Sequence, residues 1–147
     1  TWPLVEALFS ASAKRVYVPK VDEDGSMRML RAASLAELRA LPVNTWHVPE
    51  HTDEAACGLE DGTLKGDIDL VIVPAMLFAP SKLTRLGRGK GFYDRFLAAL
   101  DTARANRGLP PSVKLGVGFD VQMVESVPAE VHDIRMDVIV SACAVYP

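Results

Sequence analysis

Between Leu70 and Leu100 the spacing of apolar residues changes period, and that change limits the folds open to this chain. Leu70-Val71-Ile72-Val73 has no polar alternation, the pattern of a strand buried on both faces of a parallel sheet. It follows an acidic turn, Asp67-Ile68-Asp69, and stops at Pro74. From Phe92 onward, Phe92, Phe96, Leu97, Leu100 and Ala103 fall on one face of a helix. Strand followed by helix predicts α/β architecture. At the strand-to-helix junction stands Arg85-Leu86-Gly87-Arg88-Gly89-Lys90-Gly91-Phe92-Tyr93-Asp94-Arg95.

In that segment Gly87, Gly89 and Gly91 occupy alternate positions, so backbone amides lie open to a close approach and φ values barred to other residues are allowed. Amides so exposed can converge on an anion, and the following helix adds unpaired N–H groups and partial positive charge. Arg85, Arg88 and Lys90 read as mobile cations. Arginine grips two phosphate oxygens at once, and lysine supplies a compact charge that can follow a moving phosphoryl group. Glycines after a strand also serve as plain turn residues, and Asp94 in the first helical turn also serves to complement the helix dipole, worth about 0.3–1 kcal/mol. The coincidence of glycines, cations, an aromatic pair and a carboxylate favours anion or nucleotide binding.

At 147 residues the chain has the size of one domain, and no internal repeat is visible. A net charge of -3 argues against a broad nucleic-acid surface. No apolar run approaches the roughly 20 residues of a membrane span. Cys57 and Cys143 are far apart and form no C-x-x-C, so neither a zinc site nor a disulfide framework is expected, and free thiols fit a reducing compartment. Thr1 is not an initiator and the chain opens inside a helical pattern, Leu4, Val5, Leu8 and Phe9; the natural N-terminus is expected to lie upstream.

In chain order, 15–19 reads as a short strand, Asp22-Glu23-Asp24-Gly25 as a turn, and 27–30 as a strand returning from it. Ser34 and Glu37 have capping-box spacing, opening a helix over 35–41 that stops before Pro42. The irregular stretch 43–50 holds Trp46, His47 and Pro49. It reads either as a binding loop or as a Trp plugging the core edge. His47 and His51 have i,i+4 spacing, but Pro49 between them argues against a metal pair on a helix. The helix from Phe92 runs through Arg104 and is closed by Asn106-Arg107-Gly108-Leu109-Pro110-Pro111. A strand over 114–119, a helical turn over 120–124 and a last strand over 136–143 complete the chain. Glu130, His132 and Asp133 are grouped after Pro128; a surface turn is the ordinary reading, and a loop at a strand end is also where α/β sheets present catalytic groups.

The segment Arg85 to Asp94 resembles the signature of the 5-formyltetrahydrofolate cyclo-ligase (methenyltetrahydrofolate synthetase) family, R-L-G-x-G-x-G-Y-Y-D, with Phe92 in place of the first Tyr. The resemblance extends to Asp69 through Pro74, Gly118-Phe119 with Gln122, Val127-Pro128, His132-Asp133, Val18-Pro19 and the Trp46 to Pro49 region. Ala75 stands where the family usually has Gly, and Ala79-Pro80 where an acidic residue usually follows Phe.

The resemblance implies an α/β three-layer sandwich with a mostly parallel central sheet, like that of sugar-phosphate isomerases and CoA transferases. It further implies one cyclo-ligase-like domain over 1–147 that lacks the family's N-terminal helix and first strand. The activity implied is ATP- and magnesium-dependent cyclisation of 5-formyltetrahydrofolate to 5,10-methenyltetrahydrofolate, with release of ADP and phosphate. By the same resemblance, Arg85, Leu86, Gly87, Arg88, Gly89, Lys90, Gly91, Phe92 and Tyr93 would bind ATP, with Arg88 and Lys90 neutralising charge on the moving phosphoryl group. Trp46 and the stretch Arg88 to Phe92 would contact the folate, and Asp94 and Asp133 would hold Mg2+, a cation suited to few carboxylates plus phosphate oxygens. A monomer working on a small-molecule folate in the cytoplasm is expected, without nucleic-acid or membrane partners; a mitochondrial location stays open. Two rivals remain: a non-catalytic nucleotide- or folate-binding module, and a sugar-phosphate or CoA enzyme of the same fold class.

Overall fold

In a computed structural model, which describes residues 2–11, 14–44 and 48–147, the chain divides into two compact units, Thr1–Thr63 and Leu64–Pro147. The first contains α1 (Trp2–Ser10), β1 (Val16–Val21), β2 (Met27–Ala32), α2 (Leu35–Ala40) and α3 (Asp53–Ala56). β1 and β2 form an antiparallel hairpin whose register runs from Val16 opposite Ala32 to Val21 opposite Met27. Asp22 fixes the turn by taking a two-pronged bond from Arg28 Nε and Nη2, both at 2.6 Å. The expected cap of α2 is present: Ser34 Oγ accepts from Glu37 N–H, and Glu37 Oε2 accepts from Ala33 N–H. Met29, Leu30, Ala32, Leu38 and Ala56 are buried here. Trp46 and His47 lie outside the described residues.

The short α4 (Gly62–Lys65) carries the chain into the second unit. There β3 (Leu70–Val73), β6 (Val113–Val117), β7 (Val138–Val140) and β8 (Val145–Tyr146) form one mixed sheet in the order β3-β6-β7-β8. β3 and β6, and β6 and β7, pair in parallel; β8 turns back antiparallel to β7. The 14-residue α5 (Phe92–Ala105) follows the glycines as expected and buries Phe96, Leu97, Leu100 and Arg104. Gly108, at φ +68°, lets the chain leave the helix, with the Leu109 amide returning to Arg104 O.

Four expectations need correction. β3 is an edge strand covered mainly on one side, so Val71 and Val73 are buried while Leu70 is 44% exposed. The stretch between Pro74 and the glycines is not a plain connection: it makes an antiparallel hairpin of β4 (Leu77–Ala79) and β5 (Thr84–Leu86), with Arg85 inside β5. Arg85 is accordingly a buried strand residue and not a mobile cation. The final strand breaks after Val140, because Ser141 Oγ accepts from the Cys143 and Ala144 amides and turns the chain into β8.

The hairpin is seated on β6 by a gap left for it. Phe78 is fully buried, and a Cβ added to Gly116 or Gly118 would come within 2.7 or 3.0 Å of its ring. The Val124 amide, donating to Phe78 O, ties the same strand to the segment after β6.

Candidate functional site

The glycine segment begins where β5 ends. Gly89 and Gly91 have φ of +75° and +63°, the conformational work expected of the alternate glycines, whereas Gly87 does not have a positive φ; Gly91 is the N-cap of α5. Arg95, one turn into α5, reaches back over the Phe92 ring (5.5 Å) and donates from Nη1 to Lys90 O (2.9 Å). Arg88 and Lys90 are exposed on this segment.

Beneath it Arg85 Nη2 stands 2.8 Å from Asp94 Oδ2, with side chains only 6% and 14% exposed. The guanidinium also lies 5.7 Å from the centre of the Tyr93 ring, which in turn meets Phe96 edge-on. Burial pushes the Tyr93 phenol up to about 12, against the opposing pull of Arg85, so it stays a neutral wall of the site. Asp94 Oδ1 accepts from the Ile134 amide at 3.0 Å. The turn before Ile134 is closed by Asp133 Oδ2, which accepts from the Glu130 amide at 2.7 Å. The structure therefore links Asp94 to the backbone next to Asp133, whose own carboxylate accepts the Glu130 amide.

Two polar staples join the loops at the carboxyl ends of the parallel strands, the usual ligand edge of an α/β sheet. Gln122 donates from Nε2 to Ala75 O and Met76 O and accepts the Phe119 amide on Oε1. Asp120 takes the Cys143 amide and thiol. Hydrogen bonds from Ser141 and Cys143 hold the Asp120 carboxyl below its usual range, and the nearby carboxylate raises the Cys143 thiol, which keeps that sulfur protonated. Asp120 carries no signal beyond that of a turn former, and Gln122 is visible only through the family pattern.

In the first unit Pro42, Val43, Asn44, Glu50, His51 and Thr52 line a crevice of about 230 Å³. His51 Nε2 is buried there without a hydrogen-bond partner.

The donor set that a candidate metal site would draw on here is two carboxylates, Asp94 and Asp133, a chemistry that suits a hard cation. No group of three or more His, Cys, Asp or Glu side chains able to hold a metal occurs among the described residues. Two carboxylates suit magnesium, which draws its remaining oxygens from phosphate and water. Nor is any helix among the described residues long and apolar enough to cross a membrane.

The second unit is thus an α/β unit with a mixed sheet that presents a glycine-and-cation segment and a largely buried carboxylate at one helix start. Residues 1–142 match the model of the 5-formyltetrahydrofolate cyclo-ligase family, and the chain belongs to that family. It is 32% identical over 143 residues to the mitochondrial 5-formyltetrahydrofolate cyclo-ligase of Arabidopsis thaliana, covering 94% of this chain and 50% of that protein. It is 28% identical over 141 residues to a probable 5-formyltetrahydrofolate cyclo-ligase of Schizosaccharomyces pombe, covering 94% of this chain and 66% of that protein. The solution NMR structure of Aquifex aeolicus 5,10-methenyltetrahydrofolate synthetase superposes with a TM-score of 0.68 at 28% identity, over 98% of this chain and 62% of the other. The chain thus spans half to two-thirds of the length of these relatives.

Proposed function

We propose that this chain carries the nucleotide and folate machinery of a 5-formyltetrahydrofolate cyclo-ligase, which closes 5-formyltetrahydrofolate to 5,10-methenyltetrahydrofolate at the expense of ATP. The observation that carries the reading is the junction of β5 and α5, where the glycine segment, two exposed cations and Asp94 meet the turn of Asp133. Family membership over nearly the whole chain supports it. The same membership, with the mixed α/β sheet, supports placing the fold beside sugar-phosphate isomerases and CoA transferases, and residues 1–147 in one cyclo-ligase-like domain.

A formyl oxygen is a poor leaving group. Transfer of the γ-phosphoryl group of ATP to that oxygen releases ADP, and attack of the neighbouring folate nitrogen on the formyl carbon then breaks the C–O bond and expels inorganic phosphate. The protein's part is positioning and electrostatics, and no covalent nucleophile is required. In this reading the amides of Gly87 to Gly91 hold phosphate oxygens, and Arg88 and Lys90 neutralise charge on the phosphoryl group in flight. Phe92 and Tyr93 border the ligands and exclude water, and Trp46 contacts the folate. Asp94 and Asp133 would hold Mg2+, which when bound draws charge from the phosphates.

The test mixes the protein with 5-formyltetrahydrofolate, Mg2+ and ATP and follows absorbance in the methenyl-folate band, with Lys90→Ala as control. A rise that requires ATP and falls by a factor of about 10²–10³ in the control is expected, the cost of removing one charge-stabilising donor. No rise from the folded protein would refute the activity and leave a binding module.

A further inference from the structure

Asp94 brings a full negative charge to the start of α5, and in this structure that charge is met from within the protein. Arg85 Nη2 lies 2.8 Å from Oδ2, and the Ile134 amide takes Oδ1, so both carboxylate oxygens are engaged in a nearly closed setting. The guanidinium is not held as an ordinary two-pronged partner. Its Nε and Nη2 are buried with no aligned hydrogen-bond acceptor, so charge and proximity do the holding. It is pinned between the Tyr93 ring and Gly87, where an added Cβ would approach Nη1 to 3.2 Å.

We propose that Arg85 is a built-in counter-cation, a positioning residue that keeps Asp94 closed to a bare divalent cation. A divalent ion then gains Asp94 only together with an anion that takes over the charge of Arg85, the anion being a polyphosphate of the nucleoside triphosphate class. The inference rests on the reading of Asp94 as a metal-facing carboxylate. Two cations against one shielded carboxylate repel each other strongly, because little water stands between them. A phosphate oxygen is the natural acceptor for the unaligned N–H groups of Arg85. The arrangement makes the order of loading a property of the folded chain.

The experiment is a titration of the whole chain with Mn2+ alone, without nucleotide, reading free Mn2+ by electron paramagnetic resonance. Wild-type protein is expected to bind weakly. Arg85→Met should tighten binding about tenfold or more, since an unpaired half-buried carboxylate is left behind. Arg85→Lys, which keeps the charge, should stay within about twofold of wild type. Adding Asp94→Asn to Arg85→Met should abolish the gain. Arg85→Gln serves as the neutral variant if the Met variant fails to fold by circular dichroism. Equal or weaker Mn2+ binding in the neutral variant overturns the proposal, as does a Lys variant that binds as tightly as Met. The assignment of Asp94 to the reaction is decided separately: full magnesium-dependent turnover in Asp94→Asn would refute that assignment whatever the titration shows.

Discussion

Arg104 is the residue whose removal the fold should tolerate least. It is a charged side chain in the last turn of α5, on the buried face, 5% exposed, and it closes the turn that leads into β3. Nη1 donates to Gly66 O at 3.1 Å and Ile68 O at 2.9 Å, and Nε donates to Pro110 O at 2.7 Å. Its ion pair with Asp69, at 3.1 Å, counts for little because the Asp69 side chain is 88% exposed. Arg104→Met keeps the length of the stem and strands two carbonyls on buried residues, while Pro110, exposed, turns to water. At about 1–3 kcal/mol for each stranded acceptor, less the gain from the added apolar surface, the loss comes to about 3 kcal/mol. For a chain of this length that is a fall in Tm of about 6–12 °C. Thermal and urea unfolding of wild type, Arg104→Met and Arg104→Lys measure it, and Lys should fall between because a point charge cannot serve three divergent carbonyls. The loss should persist at about 1 M salt, where the screening length is about 3 Å, since the partners are neutral carbonyls. A fall in Tm under about 2 °C, or one that salt halves, would refute the account.

Gly116→Ala should cost about 1–3 kcal/mol, because its Cβ would stand 2.7 Å from the Phe78 ring and 3.1 Å from Ile139. Urea unfolding should show Phe78→Leu recovering part of that loss in the double variant. For Asp101, burial acts to raise the carboxyl pKa, but hydrogen bonds from Lys114 and Ser112 outweigh it and hold the group below its usual range. A depressed carboxyl stabilises the fold above its unfolded pKa, near 3.9, and that stability is lost as pH falls through the folded value. The stability gap between wild type and Asp101→Asn should therefore be full at about pH 6 and shrink on acidification below about pH 4; a gap that grows on acidification would contradict the sign.

What the local sequence determines here is periodicity and turn chemistry. The apolar spacing from Phe92 placed α5, the Ser34 cap placed α2, and the alternate glycines required the left-handed backbone found at Gly89 and Gly91. The family pattern marked the same junction, because the residues that build it are contiguous. The β4–β5 hairpin escaped such reading, since three-residue strands carry almost no period and their pairing is settled by Phe78 seated over Gly116 and Gly118. So did the break at Ser141, where a side-chain oxygen competes with the strand for two amides.

Charge is where tertiary structure decided most. In sequence Arg85 is one cation among three; in the fold it is buried against Asp94, while Arg88 and Lys90 stay at the surface. Arg104 reads as a helix-end charge and proves to be the tie between α5 and the turn before β3. Apolar residues announce burial by their own chemistry, and their spacing marked the buried face of α5, although which side of β3 is covered was decided by the sheet order. A charged residue is buried only where partners distant in the chain meet it, and those partners come together only when the sheet, the hairpin and the helix are assembled.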